Sequence, residues 1–265
     1  MEEDRARDLL AAPIGLRLLE QISRREAAEL TDPELGDLLL EAGHQMSRFR
    51  GDYDADVARL KAQAANLAGL ARWVTQRMPQ WWDDLDTTKQ VWVGRSPEPP
   101  DEARFKVDLS PFDLETPKPK LAFWTCTRIE TFLSPWLESP EKMPFESEGV
   151  WMVTASRNAR VAEIHSPAAW SDFVRTYPRA EPGYTYVPMY VPMQPRPDTA
   201  ARLDPDWAKV AQDWDGVHLS TGGWLGGEDV TFRSGETATE LRAWNMESTV
   251  WLRWRISSFE PWQAA

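Results

Sequence analysis

The spacing of apolar residues changes once along this chain, near residues 86 to 91, and the change predicts two parts. Before it, apolar positions recur every three or four residues, the period of a helix face. "GLRLLEQISRREAAEL" places Leu16, Leu19 and Ile22 at that spacing. "TDPEL" then supplies a capping Thr31 or Asp32, Pro33 in the first turn and Glu34 beside it, which predicts a second helix start. In "DADVARLKAQAANLAGLARWVTQ", Val57, Leu60, Ala64, Leu67, Ala71 and Val74 form one stripe, predicting a long third helix. Residues 1 to about 85 therefore read as a helical bundle, a regulatory or specificity domain.

From "MPQWWDDLDTTKQ" onward the period falls to two, and short strand-like runs alternate with proline-rich connections. Strands are expected at 90–95, 103–109, 120–127, 149–156, 160–165, 216–221 and 248–256. "SPAAWSDFVRTYP" and "DPDWAKVAQDW" each open on a polar cap and predict two short helices between them. The fold class expected is α+β: the N-terminal helical bundle, then a β-rich domain over 86–265 built of mostly antiparallel sheet with peripheral helices. "RAEPGYTYVPMYVPMQPRPDT" has no sustained period and reads as a long loop that wraps the sheet or covers a cleft as a lid. "GGWLGGED", lying between two strands, reads as a hairpin turn.

The late run "AWNMESTVWLRWRI" raises the main functional question. Alternation puts Val250, Leu252, Trp254 and Ile256 on one side and Trp251, Arg253 and Arg255 on the other. By parity Glu247 shares the arginine side. It is either a salt-bridged surface carboxylate, with Arg253 as a candidate partner, or a group displayed from a strand start into a cleft.

Composition narrows the field. The 265 residues are 42% hydrophobic, enough for a sizeable core, and the net charge of -12 opposes strong non-specific binding to DNA or to anionic membrane. A single cysteine, Cys126, excludes an internal disulfide, and neither a signal sequence nor a bilayer-length apolar run is visible, so a cytoplasmic protein is expected. The 15 tryptophans, spread without a period, serve as core or as flat stacking platforms. Such platforms also suit a carbohydrate-binding module or glycosidase, but no pair of acids stands out by position.

No Walker A loop, GxSxG elbow, HExxH or paired CxxC is present. His165 and His218 follow apolar strand residues, with Asp213 and Asp215 just before His218; a hydrogen-bonded core histidine accounts for each as well as a metal site would, and no metal is expected. A more coherent set is Arg95 closing "QVWVGR", Thr125 and Thr127 in "FWTCT", and Glu247 opening "ESTVWL". In that order they resemble the mono-ADP-ribosyltransferase superfamily over roughly residues 88 to 258: an early-strand arginine, a hydroxyl-rich strand and a later-strand glutamate. "TCT" matches the middle motif in type, and Asn245 stands where the family has its second acidic or amide partner.

The resemblance implies a split pair of antiparallel sheets and NAD as substrate. It implies Glu247 and Thr125 as catalytic residues, and Arg95, Trp124 and Thr127 as NAD-binding ones. It also implies transfer to a protein or nucleic-acid acceptor, as a toxin or defence effector that an antitoxin or regulatory protein could restrain. The competing expectation is a non-enzymatic module that binds another protein through tryptophan-rich and amphipathic-helix surfaces.

Overall fold

The computed structural model describes residues 1–46, 53–94, 96, 98–109, 118–119, 121–127, 149–180, 201–241, 244 and 246–262. The fold is α+β, with N-terminal helices followed by two sheets. The helices are α1 (Glu2–Ala11), α2 (Pro13–Ser23), α3 (Asp32–Gln45), α4 (Tyr53–Gln63) and α5 (Ala68–Arg77). The cap read at "TDPEL" is present: Glu34 donates its N–H to the Thr31 hydroxyl, and its carboxylate accepts from the Thr31 N–H. The long third helix is corrected to two, since a 3-10 turn at Ala64–Leu67 separates α4 from α5. The apolar stripe survives the break, with Leu60, Leu67, Ala71 and Val74 all buried.

The larger sheet has seven strands: β1 (Gln90–Gly94), β2 (Phe123–Thr127), β3 (Gly149–Ala155), β4 (Val161–Ile164), β7 (Gly216–Leu219), β10 (Ser248–Trp251) and β11 (Ile256–Pro261), in the order β11-β3-β1-β2-β10-β7-β4. All neighbours are antiparallel except β4 and β7. A second sheet joins β5 (Pro178–Ala180), β6 (Ala201–Pro205), β8 (Thr231–Ser234) and β9 (Thr237–Glu240). Helices α6 (Pro167–Thr176) and α7 (Trp207–Asp213) start on Ser166 and Asp206, whose side chains accept from backbone N–H groups in the first turn. The strand expected at 103–109 is not formed; Glu102–Arg104 makes a 3-10 turn instead.

The expected strand 248–256 is also corrected, because it is two strands. After Trp251 the chain turns. The N–H groups of Leu252 and Arg253 donate to the Asp215 carbonyl, and the Arg253 and Arg255 guanidiniums bond the Asp215 carboxylate. Five steps then carry the chain from β10 to β11, four positions away in the sheet. In a flat sheet that gap is about 19 Å, against roughly 17 Å of extended chain, so the sheet must curl strongly.

Its two faces differ. Val217, Leu219 and Val250 share one buried cluster with Leu9, Leu16, Leu18 and Leu225, so the N-terminal helices and the sheet have a common core. On the opposite face, Phe123, Val153, Ala155 and Trp251 pack with Trp92, Trp254 and Phe259.

"GGWLGG" is not a hairpin but helix α8 (Thr221–Gly227). Its glycines mark close packing. A Cβ on Gly222 would lie 2.3 Å from the Trp82 ring, one on Gly226 2.9 Å from Asp8, and the Trp224 ring reaches Gly43 across the same interface. Gly222→Ala should therefore lower stability by about 1–3 kcal/mol, read as a fall in the denaturant midpoint; an unchanged midpoint would contradict this packing. Every described tryptophan is buried or half-buried, which favours core over open platforms.

Candidate functional site

Glu247 stands at the mouth of β10, just after Met246, whose φ of 80° is a left-handed conformation costly for a side chain of its size. Residue parity and register put it on the sheet face that carries Thr125 and Thr127. Its carboxylate is 1% exposed, and both oxygens accept the Thr127 N–H at 3.0 Å. The surface salt-bridge reading therefore fails: Arg253 bonds Asp215, and Glu247 is enclosed.

The neighbour across β10 is His218 on β7, fully buried, with Nδ1 at 3.0 Å from the Thr249 hydroxyl and 3.5 Å from Glu247 Oε1. Its Nε2 lies 2.8 Å from Asp84 Oδ1, and Asp84 Oδ2 accepts the Thr221 N–H at 2.8 Å. Asp213 and Asp215 are not its partners. Asp84, His218 and Glu247 each offer an atom within 4.8 Å of the others. The two ring nitrogens, however, face different carboxylates. The Asp84 and Glu247 oxygens also lie within 4.8 Å of each other, so the three groups form one compact buried cluster in which the charge on each acts on the other two.

Thr125 and Thr127 sit beside Glu247 in a second set of bonds. Thr125 Oγ1 donates to Gln90 Oε1 at 2.6 Å and accepts from Trp251 Nε1 at 2.9 Å, and Gln90 Nε2 donates to Thr127 Oγ1 at 2.9 Å. Trp124 occupies the other face of β2. It meets Trp244 edge-on, with the Lys118 ammonium 4.8 Å from its ring centre, and so lies across the sheet from Glu247. Arg95, Asn245 and the tyrosines of the 181–200 loop, proposed as a lid, lie outside the described residues. The strand leading to Arg95 runs away from the site: Gln90 pairs with Thr127, and Gly94 stands about 13 Å further along at 3.3 Å per residue.

Burial pushes the Glu247 carboxyl up to about 8, with the Asp84 charge adding to the rise, His218 opposing it and the Thr127 N–H lowering it further. Burial opposes the charge on His218, but the Asp84 hydrogen bond and the charges of Asp84, Glu247 and Glu163 outweigh it and raise its pKa. Asp8, half-buried in α1, is likewise raised by burial to about 6.

These shifts fix a pH trend. The fold holds the Glu247 and Asp8 protons more tightly than the unfolded chain does, so ionising them costs stability as pH rises from the ordinary carboxyl range. The His218 contribution, complete below its ordinary 6.5, is also lost as pH rises through its folded value. Glu20, held below its ordinary value by Arg59, and Asp215, held low against its burial by the Arg160 N–H and by Arg255 and Arg253, act the other way and lose stability as pH falls. The thermal midpoint should peak near about pH 5 and fall toward pH 9, with Glu247→Gln flattening the alkaline fall. A midpoint that climbs from pH 5 to 9 would contradict the assignment.

Sequence reasoning missed Gln90 and Asp84 and left His218 as a core histidine. The signal for His218 was a polar residue inside the apolar run "GVHL". Asp84 gave none, since it meets His218 across 134 residues.

Comparisons with protein-family models, with curated proteins and with solved structures found no match. Among the described residues no helix is long and apolar enough to cross a membrane.

Proposed function

We propose that the protein cleaves the nicotinamide–ribose bond of NAD and transfers ADP-ribose to a macromolecular acceptor, with Glu247 as the catalytic carboxylate. The observation that supports this most is the placement of Glu247 directly across from Thr127 on adjacent strands, with β1, which leads toward Arg95, on the far side of β2. The order of strands follows the order of the three resembling motifs.

In this reading the bond from ribose C1′ to the nicotinamide nitrogen breaks with its electron pair leaving on nicotinamide. Positive charge builds on the ribose, and an acceptor nucleophile bonds C1′ and releases its proton. A ribose hydroxyl replaces one of the two contacts that the Thr127 N–H makes with Glu247, and the carboxylate tightens its grip as the charge develops. Arg95, next in sequence after β1, suits the pyrophosphate or adenosine-ribose end, because its planar donors pair with phosphate oxygens. Thr125 and Thr127 hold the strand that orients Glu247. Trp124, across the sheet, is better suited to packing than to stacking on nicotinamide.

Incubating the full chain with labelled NAD and following free nicotinamide and labelled macromolecules tests the reading. Arg95→Ala is expected to raise KM for NAD by about tenfold or more, the loss of one charge-assisted phosphate contact. An unchanged KM would remove Arg95 from the site.

One observation favours a second reading, a non-enzymatic protein-interaction module. The hydroxyls of Thr125 and Thr127 are already paired inside the Gln90–Trp251 network, as in a structural core. Nicotinamide release at or below the rate in buffer alone would select it.

A further inference from the structure

We infer that Asp84 and His218 form a proton-holding pair that sets the ionisation of Glu247: Asp84 holds the His218 imidazolium through Nε2, and the imidazolium balances the carboxylate charge when Glu247 ionises. As control of the proposed transfer this rests on the NAD reading; as a statement about the proton it stands on the geometry alone.

Three observations carry it. The imidazole lies between the two carboxyl groups, hydrogen-bonded to Asp84 at 2.8 Å and in ion-pair range of Glu247 at 3.5 Å, so a charge on the ring acts on both. The Thr249 hydroxyl, 3.0 Å from the same Nδ1, steadies the ring. All three groups are 0 or 1% exposed at the side chain, so bulk water does not compete for the proton. Asp84 is itself anchored, because the Thr221 N–H fixes its other oxygen. The charged groups acting on His218 are Asp84, Glu247 and Glu163, and those acting on Glu247 are His218 and Asp84. These three charged groups around His218 are all acidic, which favours an imidazolium.

Chemically, ionising Glu247 releases one proton to solvent and leaves the trio as two carboxylates around one imidazolium. A substrate that brings or develops positive charge beside Glu247, as the nicotinamide ring and the ribose cation do, favours that release. Asp84 and His218 are thus positioning residues that touch neither substrate nor acceptor. Asp84 reaches the site from the segment between the N-terminal helices and β1.

The test is a ring-nitrogen NMR titration of the full chain, with the signals of the three histidines assigned by H44Q and H165Q. Wild-type His218 should stay protonated above its ordinary range. D84N should bring its titration below about 6.5, since burial then acts with little opposition. E247Q should lower it by a smaller amount. A wild-type His218 that is already neutral at pH 6.5, or a D84N ring that titrates like the wild type, overturns the inference. The wild-type and E247Q arms decide the matter if D84N does not fold.

An activity arm separates this inference from the NAD reading. If nicotinamide is released, D84N should cut kcat at pH 7 by about tenfold or more with little change in KM, the equivalent of one pKa unit. An unchanged kcat and pH profile would overturn the positioning role. Expected titrations without any nicotinamide release would leave the proton-holding pair standing and remove the transferase.

Discussion

Glu247→Gln should lower nicotinamide release by about 10²-fold or more while the protein stays folded. The amide keeps the shape of the side chain and can still accept the Thr127 N–H, but it carries no negative charge to oppose the developing ribose cation. Because burial already pushes the Glu247 carboxyl up to about 8, removing the ionisable group should also raise the thermal midpoint relative to wild type at pH 9. The two readouts must move in opposite directions on the same samples. Loss of activity together with loss of stability would mean a damaged fold rather than a missing catalytic charge.

The second large effect is on stability. His218→Ala should destabilise the protein by about 3–5 kcal/mol at pH 8, because it removes the partner of two buried carboxyl groups and leaves Asp84 and Glu247 facing each other across the void. The penalty should grow toward pH 5, where the His218 charge paired with Asp84 contributes in full. Urea unfolding at both pH values checks this, and an equal loss at the two would show that the cavity, not the charge, is responsible.

Local signals in the sequence were legible where the cause was local. Thr31 with Glu34 and Ser166 with Pro167 each announced a helix start, because a cap needs only its own first turn; at "DPDW" the helix starts two residues later than the Asp204–Pro205 pattern pointed to, on Asp206, because Pro205 closes β6. Strands β1, β2, β3, β4 and β7 fell inside the runs read from alternation. The failures came from contacts between distant segments. The glycines of "GGWLGG" suggest a turn when read alone, yet they are set by Trp82, Asp8 and the helix carrying Gly43. The run 248–256 alternates throughout, but Asp215 and the curl of the sheet break it at Leu252.

The site divides in the same way. Glu247, Thr125 and Thr127 could be named from order and strand placement, and register brings them together. Parity also put Trp124 on the opposite side of β2, where it is found packed on Trp244. Asp84 and Gln90 depend on which segment covers which strand, which no local pattern encodes.

The most direct test of the account is a side-by-side assay of nicotinamide release by wild-type protein and Glu247→Gln from pH 6 to 9. The wild type should release nicotinamide with a rate that rises with pH as Glu247 ionises, and the variant should stay near background throughout. A well-folded Glu247→Gln that releases nicotinamide at the wild-type rate would contradict the account.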